Sequence, residues 1–543
     1  MPFTPLHMGP GRLVNAAWPT HCRMVAAVCV LLAAWGAVAP ARGAVPVPFE
    51  GQSTSAPQPG PLDRRILSRL RQLGLAPANP CSDAVFVRRV YLDVIGTLPT
   101  AEEARTFLQD RATNKRTVLI DRLLEREEFA DYWAMRWSDL LRIKSEFPIN
   151  LWPNAVQTYH RWVRASIHNN MPYDQFARAL LTANGSNFRE PPVNFFRAVQ
   201  RKDPRTLAQA VALTFMGARA DKWPAERLTG MTAFFSRVGF KSTAEWKEEI
   251  VFFDPSLGTN APSAVFPDGT MVLIPPDRDP RVVFADWLIQ PQNPWFTRNI
   301  ANRVWAWLMG RGIIHEPDDI RSDNPPVNAE LLAFLEQELV ANHYDLKALY
   351  RLILRSRTYQ SSSIPQANDP KGEAHFAFYS IRRLEAEVLI DALNGITGTT
   401  ESYVSRIPEP YTFIPKDQRA IALADASITS PFLELFGRSP RASGLAAERN
   451  NQPTAAQRMH LLNSSHVQRK LDQSATLQAL LQDHKGRPRE IAEGLYLTIL
   501  SRYPTRAELD ALTAYRQENA GLSRVWLDIA WALINSAEFQ CRH

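Results

Sequence analysis

The chain contains almost the same phrase twice, near its two ends. YLDVIGTLPTAEE occupies Tyr91–Glu103, and YLTILSRYPTRAE occupies Tyr496–Glu508, with no gap between the aligned copies. In each copy, apolar residues at helical spacing precede a Pro-Thr-x-x-Glu sequence. Thr-x-x-Glu is a capping box, in which the Thr side chain and the Glu side chain satisfy backbone N–H groups at the start of a helix. The phrase therefore predicts a helix, a tight turn and a second, capped helix at both ends of the fold.

Both copies continue into helical segments that end alike, LLEREEF at Phe129 and LINSAEF at Phe539. Architecture explains this repetition, and a catalytic role for Asp93 or Glu103 is the alternative. Cysteines flank the two modules, Cys81 before the first and Cys541 after the second. Because two cysteines in an exported chain favour one disulfide, we predict a Cys81–Cys541 bond that joins the ends.

Residues 1–43 have the features of a secretory signal peptide. Residues 1–23 contain two arginines and no acid, and an uncharged apolar run follows over 24–41. The small residues Ala41 and Gly43 fit a signal-peptidase cleavage site. The run is short for a membrane span, so an uncleaved anchor is the alternative. Residues 44–61, rich in Pro, Ser, Gly and Gln, predict a flexible linker. We expect a soluble periplasmic or extracellular protein, attached to a membrane only if the signal segment is not cleaved.

Charge and cysteine content exclude several classes of function. The formal net charge of +7 falls to +4 without residues 1–43, and the basic residues are scattered, which argues against a nucleic-acid-binding protein. The other two cysteines, Cys22 and Cys29, lie in the signal segment. No CxxC or CxxCH sequence occurs, so the chain encodes neither a thiolate zinc site nor covalently attached haem. We predict no cofactor and no metal.

Helical periodicity dominates the rest of the chain. It predicts a helical domain over 62–255 and a second one over 279–543. Between them, the strand-like segments EEIVFFDP and TMVLIPP flank a Pro-Asp-Gly turn, which predicts a β-hairpin and linker over 256–278. The expected fold is therefore mainly α, a multi-helix, bundle-like architecture with a small antiparallel β insertion near 250–275.

Several long segments together resemble a pair of exported bacterial domains of unknown function. FVRRVYLDVIGTLPTAEEARTFL, EFADYWAMRWSDLLR and EEIVFFDP resemble the planctomycete cytochrome-c-associated domain. DPRVVFADWLIQPQNPWFTRNIANRVWAWLMGRGIIHEPDDIR, LKALYRLILRSRTYQSSS and ERNNQPTAAQRMHLLN resemble the planctomycete-specific domain that follows it. The resemblance implies export, a helical fold, frequent association with cytochrome c-like domains, and genes beside those of exported sulfatase-like proteins.

The chain departs from these families at two positions. Many relatives carry a CxxCH-type motif shortly after the segment that reads TFMG here, but this chain continues with ARADKWPAERL. Many also have cysteines just before the position of Glu448 and Arg449, where this chain reads RASGLAA. Both thiol sites are absent, so any haem or thiolate-metal role of the relatives is in doubt for this chain.

Charged residues cluster in the matched segments and form a candidate polar site. Its members are Arg303, Arg311, Asp318, Asp319, Arg382, Glu387, Glu448 and Arg449. The acids at 318, 319 and 323 with His315 are oxygen and nitrogen ligands that could hold a metal, although the spacing of a calcium loop is missing. Buried pairing between arginines and carboxylates is the structural alternative, and RRLEAE (382–387) fits it well.

Histidines and tryptophans give weaker signals. His460 and His466 are six residues apart, which predicts different faces of one helix rather than a metal-binding pair. The tryptophans at 133, 137, 152, 162, 305 and 307 are numerous enough for an aromatic surface that stacks on sugars. Core packing is the alternative for aromatic residues at helical spacing.

Two functional hypotheses follow. The first is a binding or assembly protein of the cell envelope, whose partner is an exported sulfatase-like protein or an envelope polysaccharide. Missing catalytic motifs and missing thiols favour it. The second is a hydrolase or redox enzyme acting on extracellular polysaccharide through the candidate polar site. The sequence leaves open whether the protein is an enzyme.

Overall fold

The computed structural model describes residues 49–51, 57–258, 263–519 and 524–543. The predicted signal peptide and most of the predicted linker lie outside these residues. Residues 49–51 of the linker are held against the fold, since the Gly51 N–H donates to the carbonyl of Pro80 at 2.7 Å. Within the described ranges, no helix has both the length and the apolar character needed to cross a membrane.

Helices form most of the first half of the chain. They begin where the sequence places caps, as at Ser82 and Asp203, whose side chains accept from backbone N–H groups of the first turn. The helices are α1 (Pro61–Gln72), α2 (Asp83–Ile95), α3 (Ala101–Gln109), α4 (Lys115–Leu124), α5 (Glu127–Leu140), α6 (Pro153–His168), α7 (Tyr173–Thr182), α8 (Asn194–Arg197), α9 (Pro204–Val211) and α10 (Ala225–Thr232).

Strands are short and antiparallel. The insertion is present, but its strands pair differently from a single hairpin about the Pro-Asp-Gly turn. Strand β3 (Glu249–Phe253) lies between β1 (Gly185–Ser186) and β2 (Val238–Ser242), and β4 (Ala264–Val265) pairs with β5 (Met271–Val272) across the turn. The segment EEIVFFDP therefore pairs with the chain before it rather than with TMVLIPP.

Helices return after the insertion and continue to the end. They are α11 (Pro280–Leu288), α12 (Phe296–Met309), α13 (Ala329–Ala341), α14 (Leu346–Leu354), α15 (Lys371–Ala374), α16 (Ala386–Thr397), α17 (Pro431–Leu435), α18 (Ala455–Asn463), α19 (Ser465–Asp472), α20 (Ala475–Asp483), α21 (Pro488–Leu500), α22 (Arg506–Glu518), α23 (Val525–Ile534) and α24 (Ala537–Gln540). The described residues form one compact unit, and the mainly α fold is confirmed.

The two copies of the repeated phrase have the predicted structure and pack together. Both capping boxes are formed, at Thr100 and at Thr505, and α3 of the first copy contacts α21 of the second. Arg88 of α2 is buried and donates to the carbonyls of Ile499 at 3.0 Å and Phe539 at 2.7 Å, both in the second module. The repeated phrase thus builds an interface between the two ends of the described chain.

Matching residues also end the first helix of each copy. Gly96 has φ +60°, and Ser501, its counterpart, has φ +59°. A Cβ at Gly96 would lie 2.4 Å from the Tyr132 ring, so glycine is required there for space as well as for conformation. Serine is accommodated at the second position. These two residues therefore end their helices, and Glu103 forms the capping box with Thr100.

The end of the chain returns to the centre of the molecule. Strand β7 (Cys541–Arg542) pairs with β6 (Arg382–Arg383), just before α16. Arg542 is almost fully buried. This pairing carries a residue of the second repeat module to the candidate polar site.

Both remaining cysteines are free thiols in the structure, Cys81 buried and Cys541 half-buried. The Sγ of Cys81 lies 4.0 Å from the Arg116 guanidinium, and Cys541 pairs with Arg383 in the β6–β7 ladder. The predicted disulfide is therefore not formed here. Peptide mapping of the exported protein under non-reducing conditions tests it, since a linked pair of peptides would support the bond and two free thiols would remove it.

Candidate functional site

A polar cavity of about 240 Å³ lies between α5, α12, the β6–β7 ladder and the loops that follow α12 and precede α18. This volume is large enough for several water molecules or a small anion. Its charged lining residues are Arg136, Asp139, Arg303, Arg311, Glu316, Arg382, Arg383, Glu385, Arg449 and Arg542, and His315 also lines it. The lining therefore contains seven arginines and three carboxylates, and this excess of positive charge gives the cavity a positive potential.

The lining divides into a buried floor and an exposed rim. Arg303, Glu385 and Arg542 are almost fully buried. Ala446 and Ala447, together with Gly310, His315 and Glu316, are exposed and surround the opening. A ligand that enters would thus pass a mostly neutral rim and meet buried guanidinium groups, where charge–charge interactions are less screened than at the surface.

The end of α12 and the start of α16 position one side of the floor. Gly310 ends α12 with φ +82°, and a Cβ there would lie 2.4 Å from Cδ of Arg382. The absence of that Cβ lets Arg382 lie across the helix end. It donates to the carbonyls of Trp307 at 2.8 Å and Leu308 at 2.7 Å, which are unpaired acceptors at a helix C-terminus.

A buried network of charged and polar side chains holds Arg382 on the side away from the cavity. Asp93 of the first repeat accepts from the hydroxyls of Tyr359 at 2.9 Å and Tyr379 at 2.8 Å. Its carboxylate also lies 3.2 Å from Arg382 and 3.3 Å from Arg542. Asp93 is therefore a buried anchor that holds two cavity arginines.

Glu385 connects the same network to α5. It forms an ion pair with Arg542 at the floor and a longer one with Arg136, at 3.2 Å. Arg542 also donates to the Tyr132 hydroxyl at 3.0 Å. Burial alone would raise the pKa of Glu385, but Arg542 and Arg136 outweigh it and lower the pKa, so the carboxylate is charged at neutral pH.

A second network fixes Arg449. Its guanidinium contacts Asp139 at 2.8 Å and Glu387 at 2.6 Å. Asp139 also accepts from Arg441 at 3.0 Å, and Glu387 lies 3.3 Å from Arg438. Burial would raise the pKa of Glu387, but Arg449 and then Arg438 outweigh it and lower the pKa to about 2. The arginines in this network outnumber the carboxylates three to two.

Arg303 and Asp318 form a third pair, in which both side chains are buried and the N–O distance is 2.9 Å. Asp318 also accepts from the backbone N–H of Ala446 at 2.6 Å. This bond ties the rim loop at 446–449 to the loop after α12. Asp318 thus neutralises Arg303 and holds the opening of the cavity in place.

Arg311 differs from the other cavity arginines. Among the described residues, its guanidinium has no hydrogen bond and no ion pair, and its Nε is buried without a partner. His315, next to it on the rim, has its pKa lowered by partial burial and by the charge of Arg311. Arg311 is therefore a cation aimed at the cavity with nothing in the described chain to neutralise it.

The structure brings together four of the predicted site residues as cavity lining: Arg303, Arg311, Arg382 and Arg449. Asp318 and Glu387 lie directly behind them as ion-pair partners. The last two are not part of the lining. Asp319 pairs with Arg321 at 3.2 Å, and Glu448 accepts from the backbone N–H of Ser443 at 2.7 Å.

The sequence interpretation did not include Arg136, Asp139 and Arg542. The first two lie three residues apart on α5, within the aromatic stretch DYWAMRWSDLL, and polar residues on the buried face of such a helix were a usable signal. Arg542 gave no such signal. Its place in the site depends on the pairing of β7 with β6, which joins residues far apart in the chain.

The aspartates that resembled ligands of a metal loop form ion pairs with arginines instead. Asp318 pairs with Arg303, whereas Asp319 and Asp323 both pair with Arg321. Within the described ranges, no group of three or more His, Cys, Asp or Glu residues has the arrangement of a metal site.

The prediction that His460 and His466 lie on different faces of one helix is wrong. Ser464 ends α18 and caps α19, so the two residues belong to separate helices. The bend brings Nε2 of His460 within 3.3 Å of Nδ1 of His466, and the other ring nitrogen of His466, Nε2, bonds to Glu401 at 2.8 Å. A cap residue inside an apparently continuous helical pattern caused the error.

Three of the six tryptophans that suggested an aromatic surface pack in the core. Trp133, Trp137 and Trp305 are buried. Trp133 and Trp137 line a second cavity of only about 30 Å³, enough for about one water molecule. Trp152, Trp162 and Trp307 are half-buried, and Trp152 lies beside two exposed aromatic residues, Trp246 and Tyr411.

Comparison with protein families gives two consecutive matches. PSCyt2, described as a protein of unknown function (DUF1549), matches residues 61–238. PSD1, also described as a protein of unknown function (DUF1553), matches residues 280–516. The chain joins a PSCyt2 domain to a PSD1 domain. This confirms the predicted resemblance. No curated protein and no solved structure matches the chain.

The cavity lies between the two domains. Arg136 and Asp139 come from the PSCyt2 domain, and Arg303, Arg311, Arg382 and Arg449 come from the PSD1 domain. Arg542 lies beyond the matched part of PSD1. Neither domain alone contains the complete lining, so the site requires both domains and the segment that carries Arg542.

Proposed function

We propose that this protein is an envelope binding protein that holds an anionic group, such as the sulfate or carboxylate of a polysaccharide, in the cavity between its two domains. The observation that carries the proposal is that seven arginines and three carboxylates line the cavity, and that Arg311 has no ion pair among the described residues even though Asp93, Asp318 and Glu387 pair with other lining arginines from behind. Guanidinium groups suit such anions because their planar forks donate two parallel hydrogen bonds to a pair of oxygens.

Pairing within the cavity also favours binding over hydrolysis. Two of the three lining carboxylates, Asp139 and Glu385, are held in ion pairs with arginines, and Glu316 lies on the exposed rim beside His315. A paired-carboxylate hydrolase needs one acid that can donate a proton, which requires a raised pKa. Glu385 has a lowered pKa instead. Hydrolysis of polysaccharide therefore ranks second.

The proposal includes that the protein is exported and that it acts together with a secreted polysaccharide-processing or sulfatase-like system. An anionic ligand in the cavity is consistent with such a system, because sulfated sugars carry sulfate groups and uronic sugars carry carboxylates. In this account, the protein presents or retains the acidic glycan, and a partner protein carries out the chemistry.

Replacement of Arg311 with Gln should weaken anion binding by about tenfold or more, since a hydrogen bond to a charged group contributes about 1.5–3 kcal/mol. The variant should fold normally, because Arg311 has no partner to lose among the described residues. Calorimetric titration of the purified protein with sulfate, phosphate and glucuronate, at constant ionic strength, measures the effect.

Arg489→Gln is the matched control. Arg489 lies on α21 in an exposed pair with Glu493, away from the cavity lining, and its loss should leave anion binding unchanged. Equal weakening by both substitutions would show that the anions respond only to overall charge. Failure of the wild-type protein to bind any of the three anions would overturn the proposal.

A further inference from the structure

Three aromatic rings from separate parts of the chain meet at the surface. Trp152 precedes α6, Trp246 lies in the turn between β2 and β3, and Tyr411 lies in the long segment between α16 and α17. The Trp152 ring centroid is 6.2 Å from that of Trp246 and 5.3 Å from that of Tyr411. These three residues and Lys247 are named the aromatic platform.

The platform is open to solvent. Trp246 is 66% exposed and Tyr411 is 48% exposed, although large aromatic side chains are usually buried. Trp152 is half-buried, and its indole N–H has no partner among the described residues. A cluster of exposed aromatic residues marks a binding surface, whereas single exposed apolar residues need no explanation.

Lys247 gives the platform a charge. Its ammonium lies 5.1 Å from the ring centroids of both Trp152 and Trp246. Within the described chain it has no ion pair with a carboxylate. The tryptophan faces hold the lysine in place through cation–π contacts, and they leave its hydrogen-bond donors available.

The backbone supports this arrangement. Trp152 has φ +74° and Lys247 has φ +62°, a left-handed conformation that is uncommon for residues other than glycine. Backbone bonds hold the first of these segments, with the Trp152 N–H donating to the carbonyl of Ser145 at 3.3 Å. The rings are thus presented by constrained turns, which lowers the entropy lost when a ligand binds.

We propose that the aromatic platform is a second binding surface, outside the cavity, for the chain of an acidic polysaccharide. The apolar C–H faces of pyranose rings stack on Trp246 and Tyr411, and a sulfate or carboxylate on the same chain pairs with Lys247. A neutral glycan would use the rings alone, so the unpaired ammonium is what favours an acidic one. This inference shares its ligand class with the proposed function but rests on different residues.

Affinity electrophoresis in gels that contain dextran sulfate, alginate or unmodified dextran tests the proposal. The wild-type protein should be retarded by dextran sulfate or by alginate more strongly than by dextran, and the stronger of the two identifies the anionic group as sulfate or carboxylate. Trp246→Ala and Tyr411→Ala should each weaken that retardation by about tenfold. Neither change alters the net charge, so general attraction to a polyanion would not produce the loss.

Controls separate this surface from the cavity. Leu273→Ala removes a fully exposed apolar side chain elsewhere and should have no effect on retardation. Trp246→Ala should leave sulfate titration of the cavity unchanged, whereas Arg311→Gln should weaken that titration and leave the stacking contribution of Trp246 intact. Lys247→Gln should remove the preference for the charged glycan. Unchanged retardation of Trp246→Ala, or equal retardation of the wild type by dextran and dextran sulfate, would overturn the inference.

Discussion

Replacement of Arg542 with Met should lower the free energy of unfolding by about 3–5 kcal/mol, the range found when one partner of a buried ion pair is removed. Arg542 is almost fully buried, lies 3.3 Å from Asp93, pairs closely with Glu385 and donates to the Tyr132 hydroxyl at 3.0 Å. Methionine keeps the apolar stem but leaves two buried carboxylates with one cation fewer. Urea unfolding followed by tryptophan fluorescence measures the change.

Arg524→Met provides the comparison, because Arg524 lies in the same terminal region but forms an exposed pair with Asp472. Exposed pairs contribute at most about 1 kcal/mol. If the two substitutions changed the unfolding free energy equally, Arg542 would not have the central structural role assigned to it.

Replacement of Glu387 with Gln should cost a similar amount, about 3–5 kcal/mol at pH 7, and the cost should depend on pH. Glu387 is fully buried between Arg449 and Arg438. Burial raises its pKa, but the two guanidinium groups outweigh burial and lower the pKa to about 2. Because the folded state lowers the pKa, the charged carboxylate stabilises the protein above the ordinary pKa of glutamate, and this contribution is lost as the pH falls towards 2.

The difference in unfolding free energy between the wild type and Glu387→Gln should therefore narrow by about 3 kcal/mol between pH 6 and pH 2. Urea unfolding at a series of pH values gives this difference directly. Asp510→Asn, which removes an exposed acid paired within α22, should show a small difference at every pH. A constant gap for Glu387→Gln across the range would contradict the assigned ion pairs.

Much of the fold could be predicted from local signals in the sequence. The Thr-x-x-Glu capping boxes at Thr100 and Thr505 form as expected, because they depend only on neighbouring residues. The break at Ser464 was missed, although serine is also a favoured cap, because apolar and polar residues on both sides continue a helical pattern. The partners of the strands were more difficult to predict, because the segment EEIVFFDP could pair with a strand before it or after it in the chain.

The candidate site could be predicted only in part. Arg303, Arg311, Arg382 and Arg449 stood out because charged residues cluster around them in the sequence. Sequence alone did not show that these arginines face one cavity or that their acids lie behind it. The contributions of Arg136 on α5 and Arg542 on β7 arise from packing between the two domains and from strand pairing with β6, and neither is a local property.

The structure also gives the repeated phrase a role in the site. Its first copy supplies Asp93, which holds Arg382 and Arg542. The module that contains its second copy leads into β7, which delivers Arg542 to the same place. Packing of the two modules is therefore what brings the floor of the cavity together, and the repeat serves binding through architecture.

A crystal structure of the protein with the anion that binds most strongly in the titrations tests the central claim most directly. The account predicts density for that anion inside the cavity, within hydrogen-bond distance of the Arg311 guanidinium and of at least one floor arginine. Crystals in which the anion lies elsewhere, while the cavity between the two domains holds only water, would contradict it.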